Sequence, residues 1–161
     1  MSKKEVRVLM VCMGNICRSP LAHGLFEDMV NKAGLSDSIV VESAGTHAYH
    51  VGESPDPRSQ QTAKRHGIDL SRQRARRVEQ SDFDRFDYIM AMDQHNYSIL
   101  IGNAPTEHQH KIRLFLEFAP HMNAEEVPDP YYGGADGFDR VYSLVEAASS
   151  GLLEHIRGEH F

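Results

Sequence analysis

The sequence predicts an α/β fold of three layers, in which a four-stranded parallel sheet is covered by helices on both faces. One observation favours this fold, and a second indicates the number of domains. Short runs rich in valine or isoleucine alternate along the chain with longer segments whose apolar residues recur at helical spacing. The chain also has 161 residues and no linker-like break, so we expect one domain over residues 1–161.

Four segments are predicted to be strands, the first of them a valine-rich run that is typical of a buried parallel strand. They are residues 5–12, 39–43, 86–92 and, less regular in pattern, 111–116. Amphipathic segments between and after them are predicted to be helices. These are residues 19–34, 55–67, 93–101 and 137–156.

Two of the predicted helices begin at a residue that can cap a helix and is followed by proline. Ser19 precedes Pro20, and Asp56 precedes Pro57. A hydroxyl or carboxylate accepts hydrogen bonds from the first free N–H groups of a helix, and proline is favoured at the first helical position. We therefore expect Ser19 and Asp56 to be N-caps.

Composition excludes several classes of protein. There are 17 Lys and Arg against 23 Asp and Glu, a net charge of −6, which argues against general nucleic-acid binding. The longest apolar run, residues 8–13, is far too short to cross a bilayer, so we expect no membrane insertion. No signal peptide is recognised, and the two cysteines are too few for a disulfide framework, so we expect a cytoplasmic protein.

The segment after the first predicted strand carries residues suited to phosphate chemistry. A thiol at Cys12 is followed, after five residues, by Arg18 and then by the hydroxyl of Ser19. A loop wrapped in front of a helix can direct its backbone N–H groups at one tetrahedral oxyanion. Arg18 would clamp two oxygens of that anion, and the positive surroundings would favour the thiolate of Cys12. The alternative, a buried cysteine in a tight turn, leaves Arg18 and Asn15 unexplained.

A thiolate that attacks phosphorus needs an acid to protonate the leaving oxygen. Asp56 and Asp129 both stand between two prolines. Asp56 precedes a predicted helix and is interpreted as its cap, whereas Asp129 is followed by the loop sequence YYGG. We therefore predict Asp129 as the acid, with Asp56 as the alternative.

Taken together, these motifs resemble the low-molecular-weight protein tyrosine phosphatases. The resemblance rests on CMGNICRSP near the N-terminus and on later motifs that follow in family order across nearly the whole chain. Those later motifs are SAG at 43–45, SPDPR at 54–58, HGI at 66–68, DYIMAMD at 87–93 and DPYYG at 129–133.

The resemblance implies a flavodoxin-like sheet and a phosphatase that hydrolyses phosphotyrosine and small aryl phosphates through a phosphocysteine. It implies that Cys12 is the nucleophile, Arg18 the phosphate clamp, and Asp129 first an acid and then a base. Phosphotyrosine-containing proteins would be the substrates and inorganic phosphate a product, with no metal and no cofactor.

The resemblance also implies roles for the residues around the nucleophile. The phosphate-binding loop would comprise Met13, Gly14, Asn15, Ile16, Cys17 and Ser19 in addition to Cys12 and Arg18. Asn15 and Ser43 would support the loop, and Ser19 would assist the sulfur. The substrate cleft would be walled by Tyr49, Tyr131 and Tyr132.

Two positions bear on how closely the chain follows this family. Many members have a supporting histidine a few residues after the HGI motif, where this chain has Gln73. Members that prefer phosphoarginine tend to have threonine at the position of Ile16, so Ile16 favours phosphotyrosine.

Other interpretations remain open on the sequence. A thiol-dependent arsenate reductase shares this type of loop, but such enzymes use further cysteines downstream, and none follows Cys17. A phosphopeptide-binding module without catalysis would need a damaged nucleophile or acid. Cys17 is either small filler or a redox partner that forms a disulfide with Cys12 under peroxide. The basic cluster of Arg72, Arg74, Arg76 and Arg77 is either a solvated face or a docking strip for acidic proteins.

Overall fold

The computed structural model describes residues 5–130 and 136–161. Tyr131 and Tyr132, predicted to wall the cleft, lie outside the described residues. The strands are β1 (Val6–Cys12), β2 (Ile39–Gly45), β3 (Tyr88–Ala91) and β4 (Ile112–Leu114). The helices are α1 (Arg18–Lys32), α2 (Pro57–Arg65), α3 (Asp82–Arg85), α4 (Gln94–Asn103) and α5 (Gly137–His160). Short 3₁₀ helices span Thr106–Lys111, Phe115–Phe118 and Pro120–Met122.

The four strands form one parallel sheet in the order β2-β1-β3-β4. Val8 in the central strand lies opposite Val41 of β2 and Tyr88 of β3. In this register the carboxyl ends of β1 and β2 meet, because Cys12 lies opposite Gly45. Ligands of such sheets bind beyond the carboxyl ends of the strands, so Cys12 begins the loop where a site is expected.

The core has two parts, one on each face of the sheet, as the predicted three layers require. Alternate residues of β1 point to opposite faces, with Val8 and Met10 packed in one cluster and Leu9 and Val11 in the other. The first cluster contains buried residues of α1 and α5, and the second contains those of α3 and α4. The α/β fold and the four parallel strands are thus confirmed.

Two details of the prediction are wrong. Helix α1 begins at Arg18, its N-cap is Cys17, and Ser19 lies inside the first turn with its side chain fully buried. The fourth strand ends at Leu114, because Phe115 and Leu116 pack into the same core cluster. Consecutive residues of a strand point to opposite faces, so these two neighbours require a turn instead.

Among the described residues, even the longest helix lacks the apolar stretch that a membrane span requires.

Candidate active site

A cavity of about 300 Å³ opens at the carboxyl end of β1 and collects most of the residues predicted from the sequence. Its lining comprises Cys12, Met13, Gly14, Ile16, Cys17, Arg18, Tyr49, His50 and Asp129. The predicted nucleophile, clamp and acid thus face one space, although Asp129 is more than 100 residues away from the other two along the chain.

The surrounding protein holds the carbonyl groups of the loop at residues 12–18, the predicted phosphate-binding loop. Thr46 N–H donates to the carbonyl of Cys12 (2.9 Å), and His47 N–H donates to that of Met13 (3.0 Å). Asp56 N–H donates to the carbonyl of Ile16 (2.7 Å). The Ser59 hydroxyl likewise donates to the carbonyl of Cys17 (3.1 Å). Four carbonyl groups of the loop therefore point away from the cavity. They accept hydrogen bonds from the segment after β2 and from the start of α2.

This arrangement decides which backbone groups face the cavity. In a trans peptide the C=O and the following N–H point in opposite directions, and the described residues contain no cis peptide. Outward carbonyls at residues 12, 13, 16 and 17 therefore direct the N–H groups of residues 13, 14, 17 and 18 to the cavity side. Such a concave set of N–H groups at a helix N-terminus favours a bound anion.

Two residues allow the loop to close tightly. Asn15 has φ +59°, a left-handed conformation that asparagine tolerates better than most residues, and its Oδ1 accepts from Arg76 N–H at 3.0 Å. Gly45 touches the loop so closely that an added Cβ would lie 2.7 Å from the carbonyl oxygen of Met13. Any side chain at Gly45 would therefore push the end of β2 away from the loop.

The sulfur of Cys12 is held by a short chain of hydrogen bonds. Asn15 Nδ2 donates to Ser19 Oγ at 2.8 Å, and Ser19 Oγ lies 3.0 Å from Cys12 Sγ. Because the Ser19 oxygen accepts from Asn15, its own hydrogen is left to be donated to the sulfur. A donated hydrogen bond stabilises a negative sulfur, whether it attacks or leaves. The Ser19 hydroxyl therefore contacts the sulfur, as the resemblance implies, and does not cap the helix.

Arg18 is held by a partner that the sequence prediction missed. Its Nη1 donates to Asp93 Oδ2 at 2.6 Å and to the carbonyl of Val127 at 3.0 Å, and the side chain is only 4% exposed. Burial alone would lower the pKa of Arg18, but the negative charges of Cys12, Asp93 and Asp129 outweigh it and raise the pKa. Asp93 is the second residue after β3, at the same sheet edge as Cys12, and that position was the signal that could have identified it.

The segment that carries Asp129 is fixed on both sides. Val127 N–H donates to the carbonyl of Met92 at 2.8 Å, while the Val127 carbonyl accepts from Arg18. After Asp129, Pro130 is buried against the start of α5, where a Cβ added to Gly137 would lie 3.6 Å from the Pro130 Cα. Asp129 therefore projects into the cavity from a segment with anchored ends.

Asp56, the alternative acid, has a structural role. Its side chain accepts from Arg58 N–H at 2.8 Å, which confirms it as the N-cap of α2, and it forms a two-pronged ion pair with the Arg58 guanidinium (3.1 and 3.0 Å). Burial alone would raise the pKa of Asp56, but the hydrogen bonds and charge of Arg58 outweigh it and lower the pKa. A carboxyl group stabilised in its ionised form is poorly suited to donate a proton.

Ser43, predicted to support the loop, belongs to a group of hydrogen-bonded side chains beside the first turn of α1. Its hydroxyl lies 3.2 Å from His23 Nδ1 and 3.4 Å from Gln73 Oε1, and Gln73 Nε2 in turn donates to the carbonyl of Pro20 at 3.0 Å. Gln73 thus bonds Ser43 and the first turn of α1 from the position at which many family members have a supporting histidine. Ser43 also has a histidine neighbour, His23 of α1. The sequence did not predict this contact, because His23 lies far from the HGI motif that the family's histidine follows.

Cys17 lines the same cavity as Cys12, and both cysteines are buried free thiols. Burial, followed by the negative charges of Asp56, Cys12 and Asp129, raises the pKa of Cys17 to about 12. Cys17 therefore stays protonated at neutral pH and is not a competing nucleophile.

Tyr49 forms part of the outer wall of the cavity and is 67% exposed. Its ring stacks on His47 with centroids 5.2 Å apart, and His47 stacks on His95 at 6.1 Å. The predicted place of Tyr49 in the cleft agrees with this geometry.

Comparison with known proteins gives one consistent result. The sequence pattern of the family "Low molecular weight phosphotyrosine protein phosphatase" matches residues 7–160. A protein of that name from Schizosaccharomyces pombe is 43% identical over 154 residues, covering 95% of this chain and 98% of the relative. A low molecular weight protein-tyrosine-phosphatase from Streptomyces coelicolor is 44% identical over 154 residues, covering 94% of this chain and 93% of the relative.

Solved structures agree with the sequence relatives. A crystal structure of a protein tyrosine phosphatase from Entamoeba histolytica superimposes with a TM-score of 0.93 at 37% identity, covering 98% of this chain and all of that one (100%). The match extends over almost the entire chain, and the loop that precedes α1 lies within it. The chain therefore belongs to the low molecular weight phosphotyrosine protein phosphatase family.

Proposed function

We propose that Cys12 is the nucleophile with which this phosphatase hydrolyses phosphotyrosine, that Arg18 clamps the phosphate, and that Asp129 is the proton donor and acceptor. The observation that carries the proposal is the meeting of these three side chains in one cavity, with the Ser19 hydroxyl 3.0 Å from the Cys12 sulfur. Each group has the chemistry that its step requires.

In the first step the Cys12 thiolate attacks phosphorus and forms a sulfur–phosphorus bond. The bond between phosphorus and the tyrosine oxygen breaks, and Asp129 gives its proton to the departing phenolate. In the second step Asp129, now a carboxylate, takes a proton from water as that water attacks phosphorus. The sulfur–phosphorus bond breaks, inorganic phosphate leaves and the thiolate of Cys12 is regenerated, while the proton taken from water leaves Asp129 protonated as at the start.

The oxygens of the transferring group need positive partners throughout both steps. Arg18 and the N–H groups of residues 13, 14, 17 and 18 supply them from fixed positions, which stabilises charge without reorganisation during the reaction. Asp93 and the Val127 carbonyl hold the guanidinium, so its remaining N–H groups are oriented towards the phosphate. The loop would comprise Met13, Gly14, Asn15, Ile16, Cys17 and Ser19, with Tyr49 beside the aryl ring of the substrate.

The substrates we propose are phosphotyrosine-containing proteins. The nucleophile and acid are both present, which favours an enzyme over a phosphopeptide-binding module. No third cysteine exists to continue the relay of an arsenate reductase. We also propose a cytoplasmic location, because a cysteine nucleophile next to a second thiol is kept reduced in that compartment.

Paired isosteric substitutions test the assignment of the acid. For Asp129→Asn we expect kcat/KM for phenyl phosphate, which has a poor leaving group, to fall by about 10²- to 10⁴-fold. The loss with p-nitrophenyl phosphate is expected to be much smaller, because p-nitrophenolate leaves without protonation. Asp56→Asn is the matched control and is expected to show no such dependence on the leaving group.

A larger leaving-group effect in Asp56→Asn than in Asp129→Asn would move the acid to Asp56. Turnover of p-nitrophenyl phosphate by Cys12→Ser at the rate of the parent protein would reject the nucleophile.

A further inference from the structure

Arg76 connects three parts of the molecule beside the predicted phosphate-binding loop. Its N–H donates to Asn15 Oδ1 at 3.0 Å, and its carbonyl accepts from Gly45 N–H at 2.8 Å. Its guanidinium forms an ion pair with Asp82 of α3. Arg76 and Asp82 both stand outside the described lining of the cavity, so the proposed reaction gives neither of them a step.

Asp82 is the partner that fixes the Arg76 side chain. The two groups form a two-pronged pair, with Nη1 2.9 Å from Oδ2 and Nη2 3.2 Å from Oδ1. The Asp82 side chain is fully buried (0% exposed), and its Oδ2 also accepts from Glu79 N–H at 2.7 Å. A two-pronged pair between arginine and a carboxylate fixes geometry as well as charge. Asp82 therefore helps to determine where the Arg76 N–H lies.

The Arg76 N–H in turn determines how the side-chain amide of Asn15 is oriented. An amide has a donating nitrogen at one end and an accepting oxygen at the other. Because Arg76 donates to Oδ1 of Asn15, the Nδ2 group is turned towards Ser19 Oγ, to which it donates at 2.8 Å. The Ser19 hydroxyl then keeps its own hydrogen for Cys12 Sγ, 3.0 Å away.

The reversed orientation of this amide would have the opposite effect on the sulfur. Oδ1 of a reversed Asn15 would accept the Ser19 hydrogen, and Cys12 would lose the donor that stabilises its negative sulfur. Asn15 is only 2% exposed, so the protein and not the solvent selects between the two orientations.

We propose that Asp82 is a positioning residue for the nucleophile. Through Arg76 it fixes the orientation of the Asn15 amide. That amide directs the Ser19 hydrogen to the Cys12 sulfur. This inference rests on the proposed function, because it assumes that the Cys12 thiolate attacks phosphorus.

The test is a double-mutant cycle on kcat/KM for p-nitrophenyl phosphate at neutral pH. In the parent protein we expect Asp82→Asn to lower kcat/KM about three- to tenfold, as is usual for a residue that acts through a chain of contacts. In an Asn15→Gly background the amide is absent, so the same substitution should lower kcat/KM by less than about twofold. Glycine adopts the φ of +59° at this position without strain, so this background removes the amide alone.

Two further variants complete the experiment. Arg76→Lys keeps the backbone N–H and the positive charge, but an ammonium group cannot form the two-pronged pair. It should lower kcat/KM in the parent and not in the Asn15→Gly background, and it replaces Asp82→Asn in the cycle if that variant does not fold. Glu42→Gln is the matched control, because Glu42 pairs with the same guanidinium through one longer contact (3.4 Å), and we expect kcat/KM to stay within about twofold of the parent.

A second measurement separates positioning of the sulfur from a collapse of the loop. Inorganic phosphate should inhibit Asp82→Asn as strongly as it inhibits the parent protein. The reason is that Arg18 and the carbonyl groups of the loop keep their own hydrogen-bond partners. Weaker inhibition would assign Asp82 a structural role only and would overturn the inference.

The cycle itself can also contradict the inference. An equal loss of kcat/KM with and without the Asn15 amide would show that Asp82 does not act through that amide. Parental kcat/KM in both Asp82→Asn and Arg76→Lys, or a loss in Glu42→Gln as large as in Asp82→Asn, would likewise overturn it. A failure of the proposed function gives a different result, because Cys12→Ser would then turn over p-nitrophenyl phosphate at the rate of the parent.

Discussion

Asp93 performs two tasks with its two carboxylate oxygens. Oδ1 accepts from Asn96 N–H at 2.8 Å and caps α4, while Oδ2 accepts from Arg18 at 2.6 Å. A capped helix and an oriented guanidinium therefore depend on one side chain. A buried arginine that loses its carboxylate partner keeps its charge but loses its fixed orientation.

For Asp93→Asn we expect kcat/KM for a phosphotyrosine peptide to fall by about 10- to 100-fold, the usual worth of a hydrogen bond between charged groups. The amide keeps an oxygen for the helix cap but loses the negative charge that holds Arg18. Steady-state kinetics would measure this loss. Asp28→Asn, which breaks the surface pair with Lys32 (3.0 Å), is the control and should leave kcat/KM unchanged. The same kcat/KM in Asp93→Asn as in Asp28→Asn would contradict the role given to Asp93.

Cys17 provides a second test at the scale of single residues. Peroxide converts a Cys12 thiolate to a sulfenic acid, and attack by Cys17 would form a disulfide and release water. The raised pKa of Cys17, about 12, makes its thiolate scarce at neutral pH, so we expect the disulfide to form faster as the pH rises.

After a pulse of peroxide and then dithiothreitol, the parent protein should recover most of its activity, whereas Cys17→Ser should recover much less. Titration of free thiols after the pulse would detect the disulfide directly. Equal recovery of the two proteins would show that Cys17 is only filler.

Among the secondary-structure elements, α2 depends most clearly on one charged cap. The pKa of Asp56 is lowered in the folded protein, so the ionised carboxylate stabilises the fold at every pH above its unfolded value of about 3.9. That stabilisation is lost as the pH falls through the lower, folded pKa. Arg58 is about half exposed (49%), so solvent weakens the pair, and we take its contribution with the cap as about 1 kcal/mol.

Asp56→Asn should therefore lower the free energy of unfolding by up to about 1 kcal/mol at pH 7, and the difference from the parent should shrink as the pH falls below about 3.9 and then through the lower, folded pKa. Urea unfolding at several pH values would measure this difference. Asp139→Asn, which removes an exposed partner of Arg65, should produce little change at any pH. A difference that grows as the pH falls would contradict the sign given to Asp56.

The sequence predicted most elements because their periodicities are strong, and it failed where tertiary contacts reassign a residue. Ser19 has the chemistry of an N-cap, but its hydroxyl is used by Asn15 and Cys12. The predicted strand through residue 116 fails because Phe115 and Leu116 both enter one core cluster. The end of the fourth strand cannot be predicted from local patterns, because it depends on the core cluster that α1 and α5 complete. The partners of Ser19, in contrast, lie only four and seven residues away in the same loop.

The basic cluster shows the same dependence on distant residues. Arg76 forms an ion pair with the buried carboxylate of Asp82 at 2.9 Å, and Arg74 donates to the carbonyls of Ser71 and Gln73. These two side chains are therefore engaged within the structure. The cluster is not a row of four equivalent charges available to an acidic partner.

For the whole molecule, the parallel sheet explains why a short motif could identify the site and why Asp93, which holds Arg18, was missed. Cys12, Arg18 and Ser19 are neighbours in sequence, so the loop was predictable as a unit. Asp93 and Asp129 reach the loop only because β1 and β3 are adjacent and because Val127 is bonded to Met92 at the end of β3. The single domain over residues 1–161 stays a prediction.

The same sheet reconciles an acidic protein with a phosphate substrate. The net charge is −6, but the positive groups at the proposed phosphate site are Arg18 and the N–H groups of the loop. Short-range fixed charges inside a cavity outweigh the screened charges of the distant surface.

The most direct test of the account is to trap the covalent intermediate on Cys12. Asp129→Asn should still be phosphorylated by p-nitrophenyl phosphate, since that leaving group needs no acid, but should hydrolyse the intermediate slowly because no base activates water. Rapid mixing followed by mass spectrometry at neutral pH should therefore find one phosphoryl group, placed on the Cys12 sulfur by fragmentation. A phosphoryl group on any other residue, or steady turnover without a phosphorylated protein, would contradict the account.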